Sequence, residues 1–198
     1  MFHTRKPFVI GGIIASIILV AFGIAAIVIG VQGRQEVNDT LARENIIGTT
    51  DSTIPGQKVA SGSQAKAMAD VMRKHTLESS GGLTYSEMGK YKTADGAPVG
   101  TNDATLAVKD ANGKPVSNPA RDLWVTETAL TTALNTSYFA SQVGLFAMVM
   151  GVALLLTGVG FGVLTIGAFW KGAQVTQAEP VQAASLSVAR PGDTMVAR

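Results

Sequence analysis

The sequence predicts an all-α membrane protein: an antiparallel two-helix transmembrane hairpin whose long helices extend into a small, mostly helical extracytoplasmic domain. Two stretches without a charged residue, Pro7–Gly33 and Thr128–Trp170, are the first observation. About 20 apolar residues cross a bilayer as a helix, so each stretch is long enough for one span. The second observation is the segment between them, which is polar and nearly neutral, with 11 Lys and Arg against 12 Asp and Glu in residues 34–138.

These boundaries divide the chain into five segments. We predict a cytoplasmic leader (1–7), a first transmembrane helix (8–33), an extracytoplasmic domain (34–138), a second transmembrane helix (139–170) and a disordered cytoplasmic tail (171–198).

Charges next to the two spans predict the orientation. Arg5 and Lys6 precede the first span and Lys171 follows the second. Positive residues in short flanks stay in the cytoplasm, whereas long loops are translocated regardless of charge. We therefore expect a multi-pass plasma-membrane protein with both termini cytoplasmic. The first apolar run is longer than the 7–15 residues of a signal-peptide core, which favours an uncleaved signal anchor.

Small residues recur every seven positions in both spans. A seven-residue period keeps one stripe facing a partner helix in a left-handed crossing, and small side chains let the two backbones approach closely. The alternative is that glycine is simply common in membrane helices. The predicted helix-packing residues are Ser16, Gly23 and Gly30 in the first span and Ser137, Gly144, Gly151 and Gly158 in the second; Gly162 completes a Gly158-x-x-x-Gly162 motif that would extend the pair into an oligomer.

Capping signals mark helices in the polar segment. Ser61 and Gln64 have the spacing of a capping box ahead of a helix over 62–79, which Gly81-Gly82 would end. On this helix the spacing predicts ion pairs between Asp70 and Lys74 and between Lys74 and Glu78. Thr84 and Glu87 form another capping box, for a shorter helix that ends by Tyr91.

The last part of the polar segment predicts a turn and then a long helix. Asn112-Gly113 indicates a type I′ hairpin turn. Asn118-Pro119 supplies an N-cap followed by proline at the first helical position, for a helix of about 50 residues that runs into the second span. We expect the two short helices to lean against the two long ones.

The composition argues against several kinds of chemistry. There are no cysteines, which excludes disulfides and thiolate catalysis. The net charge of +2 and the absence of a basic stripe argue against a nucleic-acid partner. His75 is the only histidine outside the leader, and we interpret it as a packing residue because a metal site needs more converging ligands. Asp110-x-Asn112-Gly113 matches only a fragment of a calcium loop. We therefore predict no catalytic residue, no metal site and no cofactor.

The chain resembles a group of actinobacterial two-span membrane proteins. The resemblance is carried by Ala42–Thr49, by Thr84–Tyr91 and above all by Asn118–Asn135, and it extends from the first span to the second. Members of the group are often catalogued as aromatic ring-opening dioxygenases. Such an enzyme holds non-haem iron through histidines and carboxylates, and this sequence offers only His75 outside its leader.

The sequence favours a non-enzymatic integral membrane protein that acts as a structural or accessory component of a membrane or envelope complex. Its expected partners are the lipid bilayer and other membrane proteins or further copies of itself. The alternative is an extracytoplasmic ligand-binding or sensing module anchored by the two helices.

Overall fold

The computed structural model describes residues 5–177, and within them the fold is helical. Helix α1 spans Arg5–Arg43, α2 spans Gly62–Ser79 and α3 spans Pro119–Gln177, with one short 3₁₀ turn at Tyr85–Glu87. The only β-type pairings in these residues are isolated antiparallel bridges. Helix α3 continues for seven residues into the segment predicted to be a disordered tail, and the rest of that prediction, residues 178–198, lies outside the described residues.

The chain divides into two compact units. The terminal unit combines α1 up to Ile27 with α3 from Val149 onward, and the central unit comprises Val28–Met148. Helices α1 and α3 each contribute residues to both units.

Two helices in the described residues are long and apolar enough to cross a membrane, as predicted. They contain the stretches Phe8–Arg43 and Pro119–Gly167. Only 6% and 11% of their most apolar windows are buried, which is unlike the core helix of a soluble protein. Large apolar side chains are exposed along both helices, such as Phe22 (66% exposed) and Leu164 (72% exposed). Soluble monomers rarely expose many large apolar side chains next to one another.

The central unit has a small apolar core in which all three helices take part. Leu41 on α1, Ala65 and Ala69 on α2, and Leu134 on α3 are buried together with Val59 from the α1–α2 loop. Burial of aliphatic side chains is the main stabilising term here, at roughly 25 cal/mol per Å² of apolar surface. The prediction that α2 packs against the long helices is confirmed by these contacts.

Local hydrogen bonds explain the bounds of α2. The Ser61 hydroxyl accepts from the Gln64 amide at 3.4 Å, while the Gln64 side chain accepts from the amide of Ala60 at 3.0 Å. At the other end Gly81 and Gly82 have positive φ, and the Gly82 amide donates to the Leu77 carbonyl at 2.7 Å. This is a Schellman ending, so the predicted bounds of 62–79 are confirmed.

Three local predictions for the polar segment need correction. The helix expected from Thr84 to Tyr91 is only the 3₁₀ turn, although its capping box is present. The hairpin at Asn112-Gly113 forms, but only Gly113 has a positive φ, so its turn is not type I′ and is instead typical of a type I turn followed by a left-handed glycine. The predicted pair between Asp70 and Lys74 is wrong, since Asp70 pairs with Lys66 and Lys74 with Asp51, whereas the predicted pair between Lys74 and Glu78 is confirmed at 3.9 Å.

Asn118 joins the irregular segment to the start of α3. Its side chain is 2% exposed, and its Oδ1 accepts from the Ala120 amide at 3.1 Å, which confirms the predicted N-cap. Its Nδ2 donates to the carbonyls of Pro98 at 2.8 Å and Gly89 at 3.1 Å. The buried amide of Asn118 therefore caps α3 and also holds two loop segments, at Gly89 and Pro98, against the start of this helix.

Candidate functional site: the small-residue seam

In the terminal unit, α1 and α3 approach each other at glycines. A Cβ placed on Gly23 would lie 2.7 Å from the Gly151 carbonyl oxygen, and one on Gly151 would lie 2.6 Å from the Gly23 carbonyl oxygen. Real Cβ atoms essentially never come so close to backbone, so both positions require glycine for this approach. A Cβ on Gly158 would likewise lie 2.9 Å from the amide nitrogen of Val20.

The same seam contains a hydrogen bond between the two helices. The Ser16 hydroxyl donates to the Gly158 carbonyl at 2.6 Å, and a Cβ on Gly162 would lie 2.9 Å from the Ser16 oxygen. Interhelical hydrogen bonds of this kind contribute about 0.6 kcal/mol on average in membrane proteins. Ser16 thus supplies a polar contact where the neighbouring positions supply close packing.

In the central unit the approach is made at Gly30 and Gly144. A Cβ on Gly30 would lie 2.6 Å from the Gly144 carbonyl oxygen and 2.7 Å from Cγ of Met148. A Cβ on Gly144 would lie 3.0 Å from the Gly30 carbonyl oxygen and 2.7 Å from Cγ of Arg34. The apolar stem of Arg34 therefore covers Gly144, which is a common way for arginine to pack while its charged end seeks water.

One predicted residue makes its hydrogen bond within its own helix, and several close contacts were not predicted. The Ser137 hydroxyl donates to the Ala133 carbonyl of its own helix at 3.1 Å. The serine of α3 that takes part in close packing is the buried Ser141, because a Cβ on Gly62 of α2 would lie 2.5 Å from its Cβ. Gly12 also approaches Thr165 closely: a Cβ placed on Gly12 would lie 2.6 Å from the hydroxyl oxygen of Thr165. Gly12 lies four residues before Ser16, and this spacing is the sequence signal that could have identified it.

A charged cluster lies on the surface of the central unit, where α2 meets the preceding loop. His75 Nε2 lies 2.8 Å and Lys74 Nζ 3.2 Å from the same carboxylate oxygen of Asp51. Hydrogen bonds from His75, Thr49 and Lys74, in that order of effect, hold the pKa of Asp51 well below its ordinary value of 3.8. The cluster is 37–55% exposed, and the geometry is that of a surface contact that fixes the loop on α2.

Residues 5–177 contain no group of three or more His, Cys, Asp or Glu side chains that could hold a metal ion. Two open cavities lie within the central unit. One, of about 290 Å³, lies beside the start of α3 and is lined by residues that include Lys92, Pro98 and Asn118. The other, of about 310 Å³, lies between α1 and α3 and is lined mainly by small and aliphatic residues.

Comparisons of this chain with models of protein families, with curated proteins and with solved structures returned no match.

Proposed function

We propose that this chain is an integral membrane protein with two transmembrane helices that form an antiparallel hairpin, and that it serves as a non-enzymatic structural or accessory component of a membrane or envelope complex. Both termini are cytoplasmic, and residues 34–138 form an extracytoplasmic domain. The observation that carries the membrane assignment is the exposure of large apolar side chains along two helices whose central stretches lack charge. Lipid is the surrounding that makes such surfaces stable.

The close glycine contacts support the hairpin. Within the terminal unit, higher residue numbers in α1 meet lower numbers in α3: Gly12 meets Thr165, and Gly23 meets Gly151. Lipid supplies no hydrophobic force between helices, so close van der Waals packing is what holds such a pair together. A pair of this kind is a rigid anchor for the residues between its helices.

The absence of native cysteines allows a direct topology experiment. Single cysteines are introduced by Asn112→Cys, in the hairpin of the central segment, and by Ser187→Cys, near the end of the sequence. We expect a membrane-impermeant maleimide to label intact cells at position 112 and to label position 187 only after permeabilisation. The reverse pattern would contradict the orientation, and release of the protein by alkaline carbonate would contradict the membrane assignment.

An apolar surface on α3 supports the accessory role. Leu123 is 41% exposed and Leu130 49%; they lie seven residues apart, on one face of α3, and both precede the predicted second span. No charged residue follows Glu127 on this part of the helix. An uncovered apolar surface beside a span is typical of a site that another protein covers.

Cross-linking in intact membranes tests this role. Variants Leu123→Cys and Leu130→Cys are treated with a thiol-to-amine cross-linker, and Ala104→Cys, an exposed loop position, serves as the matched control. We expect both helix positions to give one adduct of the same defined mass that the loop position does not give. If the helix positions yield no adduct, and the protein purified in mild detergent is monomeric and without companions, the accessory role is wrong.

A ligand-binding or sensing module is the second candidate function. The cavity beside the start of α3 favours it, since Lys92, a cation that could meet an anionic ligand, lines about 290 Å³ of free space. A thermal-shift screen of the full chain in detergent against small anionic envelope compounds tests this candidate. A ligand that raises the unfolding midpoint of the wild type and leaves that of Lys92→Leu unchanged would support it over the accessory role.

A further inference from the structure

Two arginines of the central unit, Arg73 and Arg121, stack on aromatic rings beside the start of α3, and we call them the arginine pair. The guanidinium carbon of Arg73 on α2 lies 5.2 Å from the centre of the Trp124 ring, and that of Arg121 lies 4.1 Å from the centre of the Tyr85 ring. A guanidinium over an aromatic face is attracted by the electrons of the ring. Its N–H donors lie in its own plane, so stacking leaves them available for an anion.

The two stacked rings belong to one small region. Trp124 is only 3% exposed, and its indole nitrogen donates to the Leu83 carbonyl at 2.9 Å. Tyr85 follows two residues later in the same loop, and Arg121 lies one helical turn before Trp124 on α3. Arg121 also donates to the Met88 carbonyl at 3.4 Å. These contacts hold both guanidinium groups beside the same loop segment.

In the part of the chain that the structure describes, no carboxylate neutralises the arginine pair. Among residues 5–177, no carboxylate oxygen lies within 4.0 Å of a nitrogen of either guanidinium group. The acidic side chains closest to this region in sequence have other partners, and these side chains are Asp70, Glu78, Glu87, Asp122 and Glu127. Two fixed positive charges without a counter-charge attract an anion from solution.

We propose that the arginine pair binds an anion that carries two or more phosphate groups. Each guanidinium presents a planar fork of N–H donors that matches a phosphate group, and two forks suit two linked phosphates. A phosphate has three acceptor oxygens and a carboxylate has two, so linked phosphates satisfy more of the N–H donors that the guanidinium groups carry. Arg73 is exposed and Tyr85 is 42% exposed, so a ligand reaches the pair from solvent.

The position of the pair favours a water-soluble or polymeric phosphate compound over a phospholipid headgroup. Continuous helix separates Arg121 from Phe139, the first residue of the predicted second span. At 1.5 Å per residue this separation is about 27 Å. The polar layer of a bilayer adds only about 5–8 Å on each side of the hydrocarbon core, so a headgroup of the same membrane does not reach Arg121. This step rests on the proposed placement of α3 in a membrane.

The experiment titrates the full chain in mild detergent with tripolyphosphate. Binding is followed by the fluorescence of Trp124 in a Trp170→Phe background, because Trp124 lies against Arg73 and Trp170 is the other tryptophan of the chain. Calorimetry gives the stoichiometry. We expect one tripolyphosphate per chain, bound about tenfold more tightly than inorganic phosphate or citrate, as one additional hydrogen bond to a charged group implies. The affinity decreases as added salt screens the charges.

Substitutions of single arginines test the two forks. Arg73→Gln and Arg121→Gln each weaken binding about tenfold, whereas Arg43→Gln, at an exposed arginine of α1 in the same unit, keeps the wild-type affinity. Arg121→Lys keeps the charge and loses the planar fork, so it binds more weakly than the wild type. Circular dichroism and the unfolding midpoint without ligand check the fold of each variant, and Arg73→Lys replaces Arg73→Gln if the glutamine variant does not fold.

Several results would overturn the proposal. Absence of saturable tripolyphosphate binding to the wild type would do so, as would unchanged affinity in both variants of the pair or an equal loss in Arg43→Gln. Citrate that binds as tightly as tripolyphosphate would assign the pair to carboxylates, and phosphatidylglycerol micelles that bind more tightly would assign it to a lipid headgroup. Release of the protein by carbonate would remove the proposed membrane placement, whereas absence of tripolyphosphate binding removes only this inference.

Discussion

The carbonyl oxygens of Gly23 and Gly151 each occupy the space that a Cβ of the other residue would need. The two distances, 2.7 Å and 2.6 Å, are nearly equal, so the approach of the helices is limited by backbone on both sides. Neither glycine can gain a side chain unless one helix moves away. This reciprocal contact therefore limits how closely the two helices approach in the described part of the terminal unit.

We expect Gly151→Ala to lower the stability of the helix pair by about 1–3 kcal/mol, the usual range for an added group in a closely packed site. Its Cβ would meet the Gly23 carbonyl and the amide nitrogen of Ile27 at 2.9 Å, and backbone cannot rotate aside as a side chain can. The measurement is the free energy of unfolding in mixed detergent micelles. Gly160→Ala, whose Cβ meets nothing within 4 Å, is the control. Equal stabilities for the two variants would show that the glycine contact does not limit the packing.

The Asn118 side chain has two roles in the central unit, as the N-cap of α3 and as a donor to two loop carbonyls, and two variants test these roles separately. Asn118→Asp keeps an oxygen that can accept from the Ala120 amide but loses the donor to the Pro98 and Gly89 carbonyls. Asn118→Ala loses both functions. Loss of an N-cap costs about 1 kcal/mol, and each buried carbonyl left without a donor costs about 1–3 kcal/mol.

We therefore expect both variants to be destabilised, and the aspartate variant more than the alanine variant, because its second carboxylate oxygen would face the two carbonyl oxygens in a buried site. Chemical denaturation in detergent measures the free energy of unfolding, and Asn135→Ala, at an exposed position of α3, is the control. If Asn118→Asp is as stable as the wild type, the two loop carbonyls do not depend on this donor.

Local signals in the sequence predicted the helices well. The bounds of α2 follow from Ser61 and Gly81-Gly82, and the start of α3 follows from Asn118-Pro119, because caps act between residues that are close in sequence. The helix predicted over 84–91 does not form because its later residues bond to a segment that is distant in sequence. After its capping box, the Gly89 and Tyr91 amides donate to the carbonyls of Val99 and Thr101, and these bonds replace a second helical turn.

The candidate site was only partly accessible from the sequence. A seven-residue period selects Gly23, Gly30, Gly144 and Gly151, which make close contacts between the helices, and it also selects Ser137, whose hydroxyl donates within its own helix. The contact of Gly62 with Ser141 depends on how α2 lies on α3, and no local pattern encodes that packing. The ion pairs of α2 also depend on packing that no local pattern encodes. Lys74 pairs with Asp51, 23 residues earlier in the chain, instead of with the predicted neighbour Asp70.

Two glycines with left-handed backbone predict unequal costs for the same substitution. Gly100 has φ +56° and Gly113 has φ +77°, so alanine at either position adds a similar backbone strain of about 1–2 kcal/mol. A Cβ at Gly100 would also lie 2.5 Å from Asn118 Nδ2 and from the Tyr91 carbonyl oxygen, whereas one at Gly113 would meet nothing within 4 Å. We expect Gly100→Ala to lower the unfolding midpoint more than Gly113→Ala. Equal midpoints would mean that Asn118 and Tyr91 can move away from the added Cβ without lowering the stability of the fold.

The cluster around Asp51 predicts a change of stability with pH. Hydrogen bonds from His75, Thr49 and Lys74 lower the pKa of Asp51 in the folded chain below its ordinary value of 3.8. The folded state therefore favours the ionised carboxylate, and its contribution is complete above about pH 4 and decreases as the pH falls through the folded-state pKa. We expect the thermal midpoint of Asp51→Asn to lie below that of the wild type at pH 5, and the difference to shrink as the pH falls below 4.

The comparison with a second variant assigns this pH dependence to the cluster. Local hydrogen bonds also lower the pKa values of Glu87, Asp95 and Asp103, but these groups are the same in wild type and variant and cancel in the difference. His75 makes the largest contribution to the shift of Asp51, so the same difference measured in a His75→Gln background is expected to be smaller and to depend less on pH. A difference that is unchanged in that background would mean that His75 does not stabilise the ionised Asp51, and one that grows as the pH falls would reverse the sign expected here.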